Sequence, residues 1–99
     1  MLNINTKKDG TALTIILEGR LDTITAPSLE NELNDSLSGV TDLVFDLQDL
    51  QYISSAGLRV LLTAQKVMNR QGSMVVRNAS DDVKEIFDVT GFSDILTIE

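Results

Sequence analysis

Two adjacent serines carry the most chemical potential in this chain. Ser54 and Ser55 stand between Tyr52-Ile53 and Ala56-Gly57-Leu58, and Arg59 follows Ser55 at the spacing of one helical turn. A hydroxyl at the start of a helix has two uses. It caps the helix by accepting from a backbone N–H, which contributes on the order of 1 kcal/mol. It also suits a phosphoryl acceptor, because free N–H groups and a partial positive charge at a helix N-terminus tolerate an anion. Arg59 stands where it can pair with such a group. Gly57 has two readings as well. Glycine in a first turn sacrifices helix propensity, and its bare backbone serves either a partner protein that approaches closely or tight packing against a neighbouring strand. Asp22 and Asp46 lie at or just beyond strand ends on the side expected for the serines. Asp22 reads as an Asx-type turn or cap, or, with Asp46, as an acid that orients the serine hydroxyl or contacts a kinase-bound Mg²⁺.

Composition narrows what these residues can do. The 99-residue chain has no His and no Cys, which excludes Ser-His-Asp and Cys-His nucleophilic machinery, thiolate redox chemistry and ordinary zinc or haem ligation. Only an oxygen-only Mg²⁺ or Ca²⁺ site on carboxylates stays open. No catalytic residue, metal or cofactor is assigned. A formal net charge of -7 argues against nucleic acid as a direct partner, since phosphate contacts need several Lys or Arg, and against docking on anionic lipid. The opening Met1-Leu2-Asn3-Ile4-Asn5 lacks the regions of a signal peptide, and no apolar run approaches the ~20 residues of a membrane span. The expected location is cytoplasmic.

The elements that position the serines follow from periodicity. Leu2 and Ile4, then Leu13, Ile15 and Leu17, alternate as a β-hairpin around Lys8-Asp9-Gly10-Thr11. A turn-rich loop, Arg20 to Pro27, leads into an amphipathic helix with Leu29, Leu33 and Leu37 on one face, ending at Gly39. Leu43-Val44-Phe45-Asp46-Leu47 is a short central strand. A second helix runs from about Ala56 to Arg70 and stops at Gly72. With Ser55 placed at its N-cap and about 100° per residue, Ser55, Arg59, Thr63, Lys66 and Arg70 share roughly 80° of arc while apolar residues fill most of the remainder. Met74-Val75-Val76 is another buried strand, Ser80 caps a third helix with a Val83, Ile86, Phe87 stripe and a stop at Gly91, and Ile95 to Ile98 is a last strand. The order β-β-α-β-α-β-α-β describes one α/β domain over residues 1–99, a small mixed sheet of about four to five strands with helices packed on it. Sites in such folds gather at the carboxyl ends of the strands. Here those ends carry the loop from Asp22 to Pro27 and the segment from Asp49 to Gly57.

Gly19-Arg20-Leu21-Asp22 with its Thr/Ala loop, Leu43-Val44-Phe45-Asp46-Leu47, and Tyr52-Ile53-Ser54-Ser55-Ala56-Gly57-Leu58 resemble, in this order and spacing, the STAS family and within it the stand-alone bacterial anti-sigma-factor antagonists. The resemblance implies a partner switch. The unmodified protein binds an anti-sigma factor with serine kinase activity and so releases a sigma factor, the kinase phosphorylates a serine at the start of the second helix, and a PP2C-type phosphatase restores it. Ser55 matches the acceptor position, with Ser54 as rival, because several relatives carry Asp where this chain has Ser54. Asp22 matches the family's acid after the second strand. The implied partner-binding residues are Asp22, Thr23, Thr25, Ser54, Ser55, Ala56, Gly57 and Arg59.

Two other functions compete. The same fold serves as a non-phosphorylated adaptor in signalling or lipid-transport complexes. An enzyme or small-molecule sensor using the serine turn as an anion pocket is disfavoured, because there is no GxxxxGK[ST] loop and so small a core leaves little room for a deep pocket.

Overall fold

The computed structural model describes residues 1–99. A hairpin opens the chain, β1 (Leu2–Asp9) and β2 (Ala12–Leu21), turning at Gly10, whose φ of +62° suits glycine. Then come α1 (Ala26–Ser36), β3 (Asp42–Ile53), α2 (Ser55–Gln71), β4 (Ser73–Arg77), α3 (Asp81–Thr90) and a 3-10 turn over Phe92–Asp94. The sheet order is β1-β2-β3-β4. β1 and β2 are antiparallel, while β2, β3 and β4 run parallel. Each parallel connection is a helical crossover, and the helices share one face of the sheet.

Burial shows which face that is. Leu13 pairs with Leu43 and Leu43 with Met74, while Ile15 pairs with Phe45 and Phe45 with Val76. These six side chains are buried, whereas Thr14, Ile16, Val44 and Val75 between them are partly exposed. Leu29 and Leu33 of α1, Leu58, Leu61 and Met68 of α2, and Val83 and Phe87 of α3 join the same apolar cluster. Alternation in the strands and 3.6-residue spacing in the helices thus meet on a single core.

Two expectations need correction. The central strand does not end at Leu47. β3 continues to Ile53 through two bulges, where its register against β2 shifts between Ile16 and Glu18 and again between Gly19 and Arg20. Each bulge adds one residue to β3, so Leu50 and Ile53 return to the core face although they follow Leu47 at intervals of three. The anticipated last strand, Ile95 to Ile98, is also not a strand. The 3-10 turn uses up its approach, and only Ile98 bridges to Val76 in parallel. The sheet therefore has four strands. The third helix matches its expected signals: Ser80 Oγ accepts from Val83 N at 3.2 Å, and Gly91 ends the helix at φ +82°.

Candidate functional site

The carboxyl ends of β2 and β3 are neighbours, with Leu21 paired to Ile53. Each strand delivers its chain into the N-terminus of a helix. Ser54 N donates to Leu21 O at 2.9 Å and so ties the two exits together. The expected meeting of the Asp22 loop with the serine segment is therefore present.

Ser54, not Ser55, is the N-cap of α2. Its backbone is extended, with φ -98° and ψ 175°, and Ser54 Oγ accepts from Gly57 N at 3.4 Å. Ser55 is the first helical residue and is exposed, whereas Ser54 is half-buried. The placement of Ser55 at the cap is thus corrected by one residue. The division of labour has a physical cause: Ser54 continues the extended path of β3 and can fold its hydroxyl back over the first turn, whereas Ser55 already has helical geometry. The wet stripe expected below it is present, since Arg59, Thr63, Lys66 and Arg70 are all exposed.

Gly57 points inward. It is buried, and a Cβ there would lie 2.6 Å from Leu21 Cγ, 2.9 Å from Leu21 Cδ2 and 3.0 Å from Ile53 Cγ1. Of its two readings, packing against the strand ends is the one the structure displays. Gly57 sets how closely α2 seats on the sheet, and hence the height of Ser54 and Ser55 above it.

Asp22 builds the loop before α1. Its Oδ1 accepts from Ile24 N and Thr25 N, both at 3.0 Å, and lies 3.2 Å from the Thr25 hydroxyl. That hydroxyl donates to Arg20 O at 2.8 Å and accepts from Asp22 N at 2.9 Å. Thr25 is the N-cap of α1, but its side chain serves the loop instead of the helix. The backbone hydrogen bond from Thr25, opposed by partial desolvation and assisted by the Thr25 side chain and Ile24 N–H, holds the Asp22 carboxyl below its ordinary 3.8. Asp22 therefore is the Asx-type turn that its sequence context allowed. Arg20 reaches over the Tyr52 ring, 4.4 Å from its centroid, and stands 4.0 Å from Asp22 Oδ2.

Asp46 does not join this site. It sits in the middle of β3, paired with Ile16 and Arg77, seven residues before Ile53, which is roughly 23 Å of strand. Its Oδ1 accepts from Gln48 N at 3.1 Å and Asn78 Nδ2 at 3.2 Å, anchoring the first bulge and the turn after β4. The carboxylate is structural and cannot orient Ser55.

A feature missed from sequence is a shallow cleft between the first turns of the two helices. Thr23, Ala26, Pro27 and Glu30 line one wall and Ala56, Arg59, Val60 and Thr63 the other. Three residues anticipated as partner contacts, Thr23, Ala56 and Arg59, meet there. Thr23 is exposed and Ala56 half-buried. Ile24, 86% exposed at the loop tip, supplies a large apolar side chain beside the cleft. Its bare position within Thr23-Ile24-Thr25 was the signal available. No three His, Cys, Asp or Glu side chains cluster as metal ligands, and no helix is long and apolar enough to cross a membrane.

Comparisons with known proteins agree with the fold. The family model described as STAS domain matches residues 3–99. The chain is 31% identical over 98 residues to the anti-sigma-B factor antagonist of Bacillus subtilis, an overlap of 98% of this chain and 90% of that protein. An anti-sigma factor antagonist from Mycobacterium paratuberculosis shares the fold with a TM-score of 0.87 at 18% identity, covering 99% of this chain and 85% of that one. SpoIIAA, an anti-sigma factor antagonist solved in its unphosphorylated form, shares it at 0.78 with 16% identity over 98% and 87% of the two chains. Its phosphorylated form, from Bacillus, gives 0.77 at 16% identity over 98% and 91%.

Proposed function

The chain belongs to the STAS domain family, and on that footing we propose that it is an anti-sigma factor antagonist whose grip on an anti-sigma factor is released by phosphorylation of Ser55. The observation that carries the site assignment is the exposure of Ser55 at the first position of α2 while Ser54 performs the capping. A phosphoryl group on Ser55 costs the fold no cap and emerges where free N–H groups favour an anion.

The anti-sigma factor docks on the surface made by the Asp22–Thr25 loop, Ile24 at its tip, and the Ala56–Arg59 turn. Ile24 gives that surface an apolar contact and the helix starts give it hydrogen-bonding groups. The same partner acts as a serine kinase. It transfers the γ-phosphoryl group of ATP to Ser55 Oγ: the new O–P bond forms as the bond to the β-phosphate oxygen breaks, the hydroxyl proton passes to a base on the kinase, and ADP leaves. A PP2C-type phosphatase reverses the state by hydrolysis, returning the hydroxyl and releasing inorganic phosphate. The chain contributes the acceptor and the docking surface, and the catalytic groups belong to its partners.

Phosphorylation adds about -1.5 to -2 charge to a surface that already carries Asp22 and Glu30. Desolvating that charge against a surface complementary to a neutral hydroxyl opposes docking. A loss of about 3 kcal/mol lowers affinity a hundredfold, so no refolding is required.

The test is phosphorylation by a purified kinase-type anti-sigma factor with ATP, read by intact mass, together with binding by calorimetry. Wild type gains one phosphate, Ser55→Ala gains none and still binds, and Ser55→Asp binds at least tenfold more weakly. Label that survives Ser55→Ala and disappears in Ser54→Ala overturns the site. Unlabelled wild type that binds its partner tightly regardless of Ser55→Asp points instead to a non-phosphorylated adaptor.

A further inference from the structure

Arg59 is a cation without an ion-pair partner, one helical turn below Ser55. Ion pairs occur at Arg20–Asp22 and Arg77–Glu99, and Arg59 takes part in neither. It is exposed at the wall of the α1–α2 cleft, and its backbone carbonyl accepts from the Thr63 hydroxyl at 3.0 Å. The first turn of α2 carries no acid, unlike that of α3, which has Asp81 and Asp82. A cation this near a helix start opposes the helix dipole unless an anion stands beyond it.

We infer that Arg59 is the intramolecular clamp for a phosphoryl group on Ser55, holding it against the start of α2. The inference rests on Ser55 as the acceptor. Residues four apart on a helix have Cβ atoms about 5–6 Å apart, and helical side chains lean toward the N-terminus, so position 55 lies within reach of the Arg59 guanidinium. An anion on the N-terminal side of an i, i+4 pair is also the favoured orientation. The guanidinium offers paired donors that match phosphate oxygens.

The other cations near the site are committed to Asp22 or distant, and the former include the Met1 ammonium, whose charge acts on Asp22. Arg20, on β2, is stacked over Tyr52 and lies near Asp22. Lys66, the next cation along α2, is eleven residues from Ser55, about 16 Å of helix. Against the clamp stand the carboxylates of Asp22, in the loop before α1, and Glu30, on α1 across the cleft. Both raise the proton affinity of a nearby phosphoryl group, and Arg59 offsets them. The clamped group stays fully ionised at neutral pH and fixed in place, which gives the phosphorylated state its full electrostatic penalty for docking.

The experiment installs phosphoserine at position 55 of the full chain during translation and follows its titration by phosphorus NMR. The second ionisation of a free phosphoserine lies near 6. Arg59→Gln raises it by roughly half a pH unit relative to the phosphorylated wild type, the scale of an exposed ion pair, and Lys66→Gln moves it much less. Amide dispersion checks that each variant is folded. Coincident curves for wild type and Arg59→Gln overturn the clamp. An equal shift from Lys66→Gln also overturns it, because the effect is then general net charge. Since no kinase is used, failure of the kinase to label Ser55 refutes the functional reading separately from this result.

Discussion

Replacing Gly57 with alanine separates two roles for this glycine that make opposite predictions. In an unconstrained helix the change stabilises by about 1 kcal/mol, because alanine loses less backbone freedom. Here the added Cβ stands 2.6 Å from Leu21 Cγ and 3.0 Å from Ile53 Cγ1, against the ~3.5–4.0 Å of relaxed carbon contacts. Neither neighbour yields cheaply. Leu21 is 0% exposed and Ile53 1%, and Leu21 Cγ is a branch point, so relief means moving a whole packed side chain or lifting α2. Overpacking of this kind costs about 1–3 kcal/mol, and the tightness of the contact argues for the upper half of that range. Set against the propensity gain, the expected net loss is about 1–2 kcal/mol, a fall in Tm of about 4–8 °C for each kcal/mol in a domain of this size. Urea and thermal melts followed by circular dichroism measure it. Lifting α2 also displaces Ser55, so under the proposed function its phosphorylation slows in parallel. If Gly57 instead served only a partner's close approach, Gly57→Ala would melt at or above the wild-type temperature while binding fell. That outcome would refute the packing argument.

Two further substitutions test the local chemistry. Ser54→Ala removes the α2 cap and lowers stability by about 0.5–1 kcal/mol, at the lower end because the 3.4 Å bond to Gly57 N is long, whereas Ser55→Ala is nearly neutral; urea midpoints at unchanged slope distinguish them, and equal losses would show that both serines cap. Asp22→Asn tests the depressed carboxyl: because the folded group ionises below the unfolded value of 3.8, its stabilisation is fully present above that value and is lost as pH falls through the folded one. The stability difference between wild type and Asp22→Asn is therefore constant near neutrality and shrinks below about pH 4, and a difference that persists unchanged to pH 2 would remove the carboxylate's charge as its cause.

How much of this was legible in the sequence depended on whether one residue more or less changed the reading. The hairpin and the wet stripe of α2 survive such an error, because Leu13, Ile15 and Leu17, or Ser55, Arg59, Thr63, Lys66 and Arg70, repeat often enough to fix a face. The far end of β3 does not survive it. Its bulges change the apolar interval from two to three, so Leu50 and Ile53 lose the alternation that identifies a strand, and Asp46, read as a strand-end residue near the serines, belongs to the strand's middle. The same one-residue ambiguity decided which of two neighbouring serines is the cap. Either has the right chemistry, and only the extended backbone inherited from β3 gives the role to Ser54. Ile95 to Ile98 failed for a different reason: a short apolar run specifies burial, and Leu96 is buried, but a ladder also needs a free edge in register, which the preceding 3-10 turn leaves to Ile98 alone. The bulges that hid the strand also serve the site. With them, β3 reaches Ile53 directly beside Leu21, places both residues under Gly57, and brings the first turn of α2 beside the loop after β2. Paired without the bulges, at the register that matches Ile16 to Asp46, Leu21 would face Gln51 instead of Ile53, and the serine turn would start two residues beyond the end of β2. The irregularity that defeats pattern reading is what brings the serine turn and the Asp22 loop together.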